Sequence, residues 1–282
     1  MHRRTLLAGA AAFAAAPAFA QTGRTRVVFW HAMNGALGEE LNKLCAGFNG
    51  AQSETEVVPI FKGSYPETLT AAIAAWRAGQ APHLVQMFEV GTGSMLAAGP
   101  AVKQTWQLIQ ETGVAINPEN YIAAVRGYYS LPDGRLASAP FNSSTAVLWL
   151  NKDALEKAGL DPNKAPATWP ELITMAHTIK SKSAAPMPMT TAWFSWIQLE
   201  QFAAIHNIPY ATKANGFEGL DTELKVNAPP FVKHLTRLMD MAKEGLFKYG
   251  GRDSAPDPLF YSGEAAMGFL SSGSRGDIIK NA

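Results

Sequence analysis

Short hydroxyl and amide side chains gather twice in this sequence, at Asn142-Ser143-Ser144-Thr145 and at Ser271-Ser272-Gly273-Ser274. The first cluster leads into the apolar run Val147-Leu148-Trp149-Leu150, and the second follows the apolar stretch Gly263 to Leu270. Hydroxyls at strand ends, with the backbone N–H groups beside them, can hold a phosphate or a polyol. Ser144 and Ser271 are the candidate contacts, although serine-rich turns also occur for purely structural reasons. Two more residues stand at the ends of apolar runs. Tyr65 follows Lys62-Gly63-Ser64 and precedes Pro66. Its hydroxyl can donate to a ligand oxygen while its ring walls a pocket, or it can be a surface tyrosine in a turn. Glu89 comes straight after Leu84-Val85-Gln86-Met87-Phe88. As a carboxylate it would repel a phosphate, so in a binding site it faces neutral hydroxyls. It can equally cap the helix start near Gly91-Thr92-Gly93.

Catalytic and metal chemistry find no comparable pattern. Lys62-Gly63-Ser64 lacks the upstream glycines of a nucleotide P-loop, and no HExxH, EF-hand or zinc-cysteine spacing is present. His2, His31, His83, His177, His206 and His234 are dispersed, and no Gly-x-Ser-x-Gly elbow occurs. Glu200, Glu218 and Asp221 could form an acid pair, but no spacing requires it. No catalytic residue, metal ligand or cofactor is therefore assigned. Trp169 beside Pro170 reads first as helix-start packing, with a wall against the C–H groups of a polyol as the alternative. Trp193 and Trp196 read mainly as core.

The elements that must position these residues alternate. Val27 to Trp30 predicts a strand; Leu37, Leu41, Leu44 and Phe48 fall at helical spacing on an apolar face; Val57 to Ile60 predicts a second strand, its Pro59 pointing to a sheet edge. Leu69, Ile73 and Trp76 mark a second helix stopped by Gly79, and Leu84 to Phe88 a third strand. Further helices are predicted after Gly93 and around Trp106 to Ile109. This is the pattern of an α/β lobe with a mostly parallel sheet, in which ligands sit beyond the carboxyl ends of the strands. A second lobe is placed from residue 139, with residues 21–138 forming the first lobe and the crossover. It holds a strand at Val147–Leu150, helices at Lys152–Ala158, Pro170–Lys180, Trp193–Ala204 and Phe231–Ala242, a strand at Gly263–Leu270, and a short last helix from Gly276. Thr168 is positioned to cap the helix at Pro170. The stretch Arg126 to Ala146 is then both hinge and pocket edge.

Bulk properties narrow the setting. The chain has 282 residues, 47% of them apolar, enough for two lobes with real cores. Residues 1–20 read as an export signal: Arg3-Arg4, a short apolar stretch from Leu6 to Phe13, and the cleavage pattern Ala18-Phe19-Ala20. The apolar stretch is too short for a membrane anchor, and Arg3-Arg4 carries only part of a twin-arginine pattern. Without Arg3 and Arg4 the 24 basic residues become 22 against 23 acidic, a net of about −1, so no basic stripe for nucleic acid is present. Cys45 is the single cysteine and has no internal disulfide partner. It is expected on the buried side of its helix.

A family resemblance rests on several of these pieces together. Phe29-Trp30-His31, Tyr128-Tyr129, Pro140-Phe141-Asn142-Ser143-Ser144, Asn151-Lys152-Asp153-Ala154, Lys157-Ala158-Gly159-Leu160-Asp161-Pro162 and Thr168-Trp169 resemble the extracellular solute-binding proteins of carbohydrate-uptake ABC importers. Lys62-Gly63-Ser64-Tyr65, Gln86 to Thr92, Trp196-Ile197-Gln198-Leu199-Glu200 and Ser271 to Ser274 resemble the glycerol-3-phosphate-binding branch of that family. The resemblance implies an α/β, two-lobed periplasmic-binding-protein-like fold, C-terminally truncated, with its second lobe (139–282) incomplete. It implies a monomer in the periplasm that closes on sn-glycerol 3-phosphate or a glycerophosphodiester such as glycerophosphocholine. Delivery would be to inner-membrane ABC permease subunits served by a separate ATPase. A neutral sugar or oligosaccharide is the alternative ligand of the same class, and a secreted hydrolase the remote alternative. Tyr65, Glu89, Ser144 and Ser271 match the family's contact positions, and Trp169 matches a tryptophan near the glycerol moiety. Longer members add a glycine, a tyrosine and a phosphate-clamping arginine that have no match here. Lacking that charge-assisted contact, worth about 1.5–3 kcal/mol, this chain is expected to bind glycerol 3-phosphate weakly or not at all.

Overall fold

A computed structural model describes residues 23–219 and 221–281; the export signal read at residues 1–20 lies outside them. Two sheets define two lobes. The first is parallel, with β1 (Thr25–His31) between β2 (Thr55–Phe61) and β3 (Leu84–Val85). Helix α1 (Gly35–Ala51) joins β1 to β2, and α2 (Tyr65–Arg77) joins β2 to β3. Pro59, which cannot donate a ladder hydrogen bond, lies in the edge strand β2, as its chemistry requires. The third strand keeps only two residues: beyond Val85 the backbone leaves the sheet and enters a single 3-10 turn, Glu89–Gly91.

Helices α3 (Thr92–Ala97), α4 (Thr105–Thr112) and α5 (Ala123–Tyr128) fill the crossover. The second sheet has the order β4-β7-β5-β6, from β4 (Ala146–Leu150), β5 (Met187–Thr191), β6 (Phe247–Tyr249) and β7 (Ala265–Ser271). Strands β5, β6 and β7 are parallel, while β4 runs antiparallel to β7. Helix α6 (Lys152–Lys157) follows β4, and α7 (Trp169–Ser181) leads to β5. Thr168 caps α7 as predicted, its hydroxyl accepting from the Glu171 N–H at 3.3 Å. After β5 come a π-helical turn at Trp196–Gln201, α8 (Phe202–Ile205), the turn α9 (Thr212–Asn215) and α10 (Pro229–Lys243). Helices α11 (Asp257–Tyr261) and α12 (Arg275–Asn281) flank β7.

The second lobe carries the larger core, with Leu155, Ile179, Met189, Leu246 and Met267 fully buried between β5, β7 and helices α6 and α7. The first-lobe core is small: Phe29, Met33, Leu41 and Cys45, with Val57 and Tyr65 against it. Cys45 is buried as expected, and burial raises its thiol pKa. Leu44, Phe48, Ile73 and Trp76 differ from their expected burial and remain exposed, because a three-stranded sheet covers only part of each helix stripe.

Helix α1 is capped from the other lobe. Asn34 makes no side-chain cap, and the Ala36 N–H donates instead to Asp277 Oδ1 on α12 at 2.9 Å. Gly35 permits this approach: its φ is +50°, and a Cβ there would lie 2.6 Å from the same carboxylate. Lys280 adds an exposed pair with Glu39 at 2.7 Å. Asp277→Ala is expected to cost about 1 kcal/mol in urea unfolding, the usual loss of a helix cap, and Asp277→Asn to recover most of it by keeping the acceptor.

Candidate functional site

The carboxyl ends of β2 and β3 hold the first-lobe half. Ser64 and Glu67 form a capping box that fixes the start of α2, with the Ser64 N–H donating to Glu67 Oε2 at 2.6 Å. Tyr65 is thereby the first residue of the helix. Its ring stacks on Phe88, centroids 5.2 Å apart and planes 3° from parallel. Glu89 follows Phe88 in sequence, so this stack ties the tyrosine to the carboxylate. Burial, and then the charge of Glu89, raises the Tyr65 hydroxyl pKa and keeps it a neutral donor. Tyr128 donates to the Glu89 carbonyl oxygen at 2.8 Å, and Tyr129 packs edge-on against it. Burial first and Glu89 second push both of these hydroxyls up to about 12.

The crossover is pinned to this half through an amide relay. Buried Gln86 accepts from the Ala32 N–H at 3.0 Å and donates to Asn142 Oδ1 at 2.7 Å. The Asn142 amide in turn reaches the Tyr65 hydroxyl at 3.5 Å, the outer limit of a hydrogen bond.

Two residues further on the chain enters the second lobe. The antiparallel register pairs Ala146 with Ser271, and Thr145 and Ser272 lock together through one backbone and one side-chain acceptor: Ser272 N–H to Thr145 O at 2.8 Å, Thr145 N–H to Ser272 Oγ at 3.1 Å. Ser144 and Ser271 therefore meet. A Cβ on Gly273 would lie 3.1 Å from Ser144 Oγ, 3.2 Å from Ser271 Oγ and 3.6 Å from Leu37 Cδ1 of the first lobe. Ser271 Oγ accepts from the Gly273 N–H at 3.0 Å. Asp257 fixes the turn from beneath, accepting from Ser274 Oγ at 3.0 Å and from the Tyr261 hydroxyl at 3.1 Å. Burial pushes the Asp257 carboxyl up to about 6.

The predicted residues thus fall into two brought-together pairs, Tyr65 with Glu89 and Ser144 with Ser271, joined by Asn142. Trp169 stands apart. It packs on Phe269 at 5.5 Å and on His234 at 5.1 Å, with the Arg237 guanidinium over its ring at 5.1 Å. This is helix-start packing on the second-lobe core. Trp193, read as core from the sequence, packs against the buried cluster of Ala192, Phe260 and Leu270 and also lies beside Tyr65, the two rings 6.2 Å apart. A left-handed backbone, φ 45°, turns it there, held by the Trp193 N–H to the Asp253 carbonyl at 2.8 Å. The following π-turn buries Gln198, which donates to Thr191 Oγ1 at 3.0 Å and pairs with His234 Nε2 at 2.9 Å. Glu200, in the same turn, is half-buried, and its carboxyl is pushed up to about 7 by burial and then by Glu89. No signal in the sequence marks that turn as π-helical, so the burial of Glu200 could not be read beforehand.

Two depressions of about 570 and 520 Å³ lie on the first lobe, one beside Lys62 and Pro66, the other beside His31 and Phe61. None of the predicted residues lines either. Among the described residues no group of three or more His, Cys, Asp or Glu is placed to hold a metal ion, and no helix is long and apolar enough to cross a membrane.

Two lobes joined by a pinned crossover, with polar groups from both at the junction, define a class of ligand-clasping proteins. The chain belongs to the bacterial extracellular solute-binding protein family, whose profile matches residues 34–282. It is 46% identical over 264 residues to the sn-glycerol-3-phosphate-binding periplasmic protein UgpB of Brucella abortus, covering 94% of this chain and 60% of that protein. The UgpB of Rhizobium meliloti is also 46% identical over 264 residues (94% and 61%), and that of Pectobacterium atrosepticum 44% over 283 residues (100% and 63%). The chain spans about three fifths of the length of these curated relatives. Among solved structures, the GacH receptor of Streptomyces glaucescens, studied unliganded and with acarbose, superposes with a TM-score of 0.75 at 17% identity, covering 92% of this chain and 63% of that one. The sugar-binding protein MalE of Xanthomonas citri gives 0.63 at 19% identity, over 91% and 62%. At such identities the likeness is one of fold, and that fold is the α/β, two-lobed one expected.

Asp257 supplies a test of the site's scaffold. Its carboxyl pKa is raised in the folded chain, so its contribution to stability is full below the ordinary carboxylate value and is lost as pH rises through about 6. Asp257→Asn is expected to gain on the order of 2 kcal/mol over the wild type at pH 7 and nothing at about pH 4, read from denaturant midpoints at the two pH values.

Proposed function

We propose that this chain is the solute-binding component of an ABC importer, exported to the periplasm, and that its cleft captures sn-glycerol 3-phosphate or a glycerophosphodiester. Captured ligand passes to inner-membrane permease subunits driven by a separate ATPase, and the binder acts as a monomer. The observation that carries this reading is the division of labour at the crossover. Tyr65 and Glu89 present a neutral donor and a carboxylate, suited to the hydroxyl end of a glycerol moiety. Ser144 and Ser271 converge at a strand end whose backbone and hydroxyl donors suit a phosphate. The sequence identity to glycerol-3-phosphate-binding relatives supports the same ligand. Trp193 is the aromatic wall in this reading, in place of Trp169. The hinge lies between the first-lobe anchor at Asn142 and the second-lobe lock at Thr145, with the lobes divided near residue 139.

The oligosaccharide alternative fits less well. A sugar ring stacks on a free aromatic face, whereas Tyr65 and Phe88 are stacked on each other. One observation favours a second reading: burial and then the charge of Glu89 push the Glu200 carboxyl up to about 7, the kind of shift an acid–base hydrolase uses. Intact recovery of glycerophosphocholine after long incubation with the protein is the expected result; its conversion would establish the hydrolase.

A thermal-shift panel tests the binding proposal. Glycerol 3-phosphate and glycerophosphocholine at millimolar concentration should raise the melting temperature, while glycerol, inorganic phosphate and maltose should not. At ten times the dissociation constant the gain is about 1.4 kcal/mol. Ser144→Ala and Tyr65→Phe should each weaken binding by roughly 5–10-fold, the loss of one neutral hydrogen bond, without lowering the unliganded melting temperature. Stabilisation by maltose alone would overturn the assignment.

A further inference from the structure

The direction of the Tyr65 hydroxyl is set from outside the site. Among the described residues that hydroxyl has one hydrogen-bond partner, the Asn142 amide at 3.5 Å. The ring itself has little freedom: it opens α2, stacks on Phe88 at 5.2 Å and lies beside Trp193 at 6.2 Å. What remains open is the proton, which turns about the C–O bond to suit its neighbours.

Those neighbours form a chain whose donors and acceptors can be assigned from one end. A backbone N–H can only donate, so the Gln86 atom that meets the Ala32 N–H at 3.0 Å is the amide oxygen. The other end of the Gln86 amide is then the nitrogen, and its contact of 2.7 Å with Asn142 is made to the Asn142 oxygen. The Asn142 nitrogen is left facing Tyr65. Gln86 cannot turn over to reverse this order. Its side chain is buried, its own N–H is held by the Trp30 carbonyl at 2.8 Å, and a turned amide would set N–H against N–H at Ala32. The last link is the longest of the three, but the polarity does not need it to be strong. An O–H aimed at the Asn142 N–H would meet another hydrogen, so it points elsewhere.

We propose that Gln86 and Asn142 are positioning residues that carry the polarity of the Ala32 backbone to Tyr65, making its oxygen the acceptor of the Asn142 amide and committing its O–H as a donor to the ligand. This rests on the reading of Tyr65 as a contact of a glycerol-phosphate site. It adds a rule of specificity that the reading does not contain. A free tyrosine hydroxyl can donate or accept, whereas this one is set to donate. It therefore reads an oxygen with a lone pair, in a hydroxyl or a phosphate ester, and offers no acceptor to an ammonium in the same place.

The relay can be inverted by substitutions that keep its shape. In Gln86→Glu the carboxylate still accepts from the Ala32 N–H but presents a second acceptor to Asn142. The Asn142 amide then turns over to donate to it, shows its oxygen to Tyr65 and draws the phenol proton away from the ligand. Asn142→Asp makes the same reversal at an exposed position, where a substitution disturbs folding least.

The test has two arms. Without ligand, heteronuclear spectra of the side-chain amides report the last link. Tyr65→Phe should shift the Asn142 amide resonances in the wild-type background and leave them nearly unchanged in Gln86→Glu, where that nitrogen faces the introduced carboxylate. Asn142 resonances that respond equally in both backgrounds overturn the inference. In the second arm, glycerol 3-phosphate is titrated against wild type, Gln86→Glu and Asn142→Asp, each with and without Tyr65→Phe. Either reversal should cost about 5–10-fold more affinity with Tyr65 present than in the Tyr65→Phe background, because any effect of the added charge appears in both. Equal losses in the two backgrounds overturn the inference and leave the glycerol-phosphate reading intact. Absence of binding by the wild type overturns that reading and with it the recognition role of the relay, while the amide resonances still decide the polarity by themselves.

Discussion

The reversal of β4 against an otherwise parallel sheet is the constraint on which the site depends. Because β4 runs antiparallel to β7, the residues that enter the second lobe lie against the residues that leave it. Ser144 and Thr145 reach the sheet at the same edge where Ser271 and Ser272 depart, and the two backbones bind each other there. A parallel β4 would carry Ser144 to the opposite end of the sheet, roughly 17–20 Å away for strands of this length. The hydroxyl pair would not exist. The same reversal places Gly273 within reach of Leu37, so the first lobe closes against the turn that carries Ser271.

The crossover is held at both ends by polar contacts of limited strength. Gln86 and Asn142 tie it to the first lobe, and the Thr145–Ser272 lock ties it to the second. Between those anchors lie only Ser143 and Ser144, the segment proposed above as the hinge. Asp277 on the N-terminus of α1 is a third tie, and it is an electrostatic one. Each of these contacts contributes about 0.5–3 kcal/mol net, comparable to what a bound ligand offers in return. Ties of this size are weak enough to rearrange, which the buried apolar core of the second lobe is not.

Much of this frame was legible in the sequence, because the signals that fix it are local. Pro59 marks an edge strand by lacking a donor, Thr168 caps α7 through its own hydroxyl, and the apolar spacing of Leu41 and Cys45 gives α1 its buried face. Elements defined by their neighbours were missed. Strand β5, Met187-Pro188-Met189-Thr190-Thr191, shows no alternation because both of its faces are buried, and β6 has only three residues. The predicted helix from Trp193 to Ala204 begins instead with a left-handed residue and a π-turn, since tertiary contacts at Asp253 and His234 override a pattern that looks helical. The exposure of Leu44 and Trp76 has the same origin: their spacing fixes the helix face, and the sheet beneath decides how much of it is covered. In the site, Tyr65, Glu89, Ser144 and Ser271 could be picked because each ends an apolar run. Trp193 and Trp169 could not be told apart, for both stand beside helix starts and only packing separates them.

The backbone at Trp193 shows where the second lobe accepts strain for position. A bulky residue in the left-handed region costs on the order of 1–3 kcal/mol, and here the cost is offset by the Asp253 carbonyl and by the ring contact with Tyr65. A relaxed backbone would send the indole elsewhere and would also shift the start of the π-turn. Gln198 would then lose its registry with Thr191 and His234, whose buried imidazole depends on it for the only hydrogen bond it makes among the described residues. Glu200, two residues on, would move with it. The strain at one residue therefore sets the positions of both the Trp193 indole and the Glu200 carboxyl. It also links Trp193 to the Gln198–His234 pair beneath Trp169, so the packing of Trp169 supports the same turn.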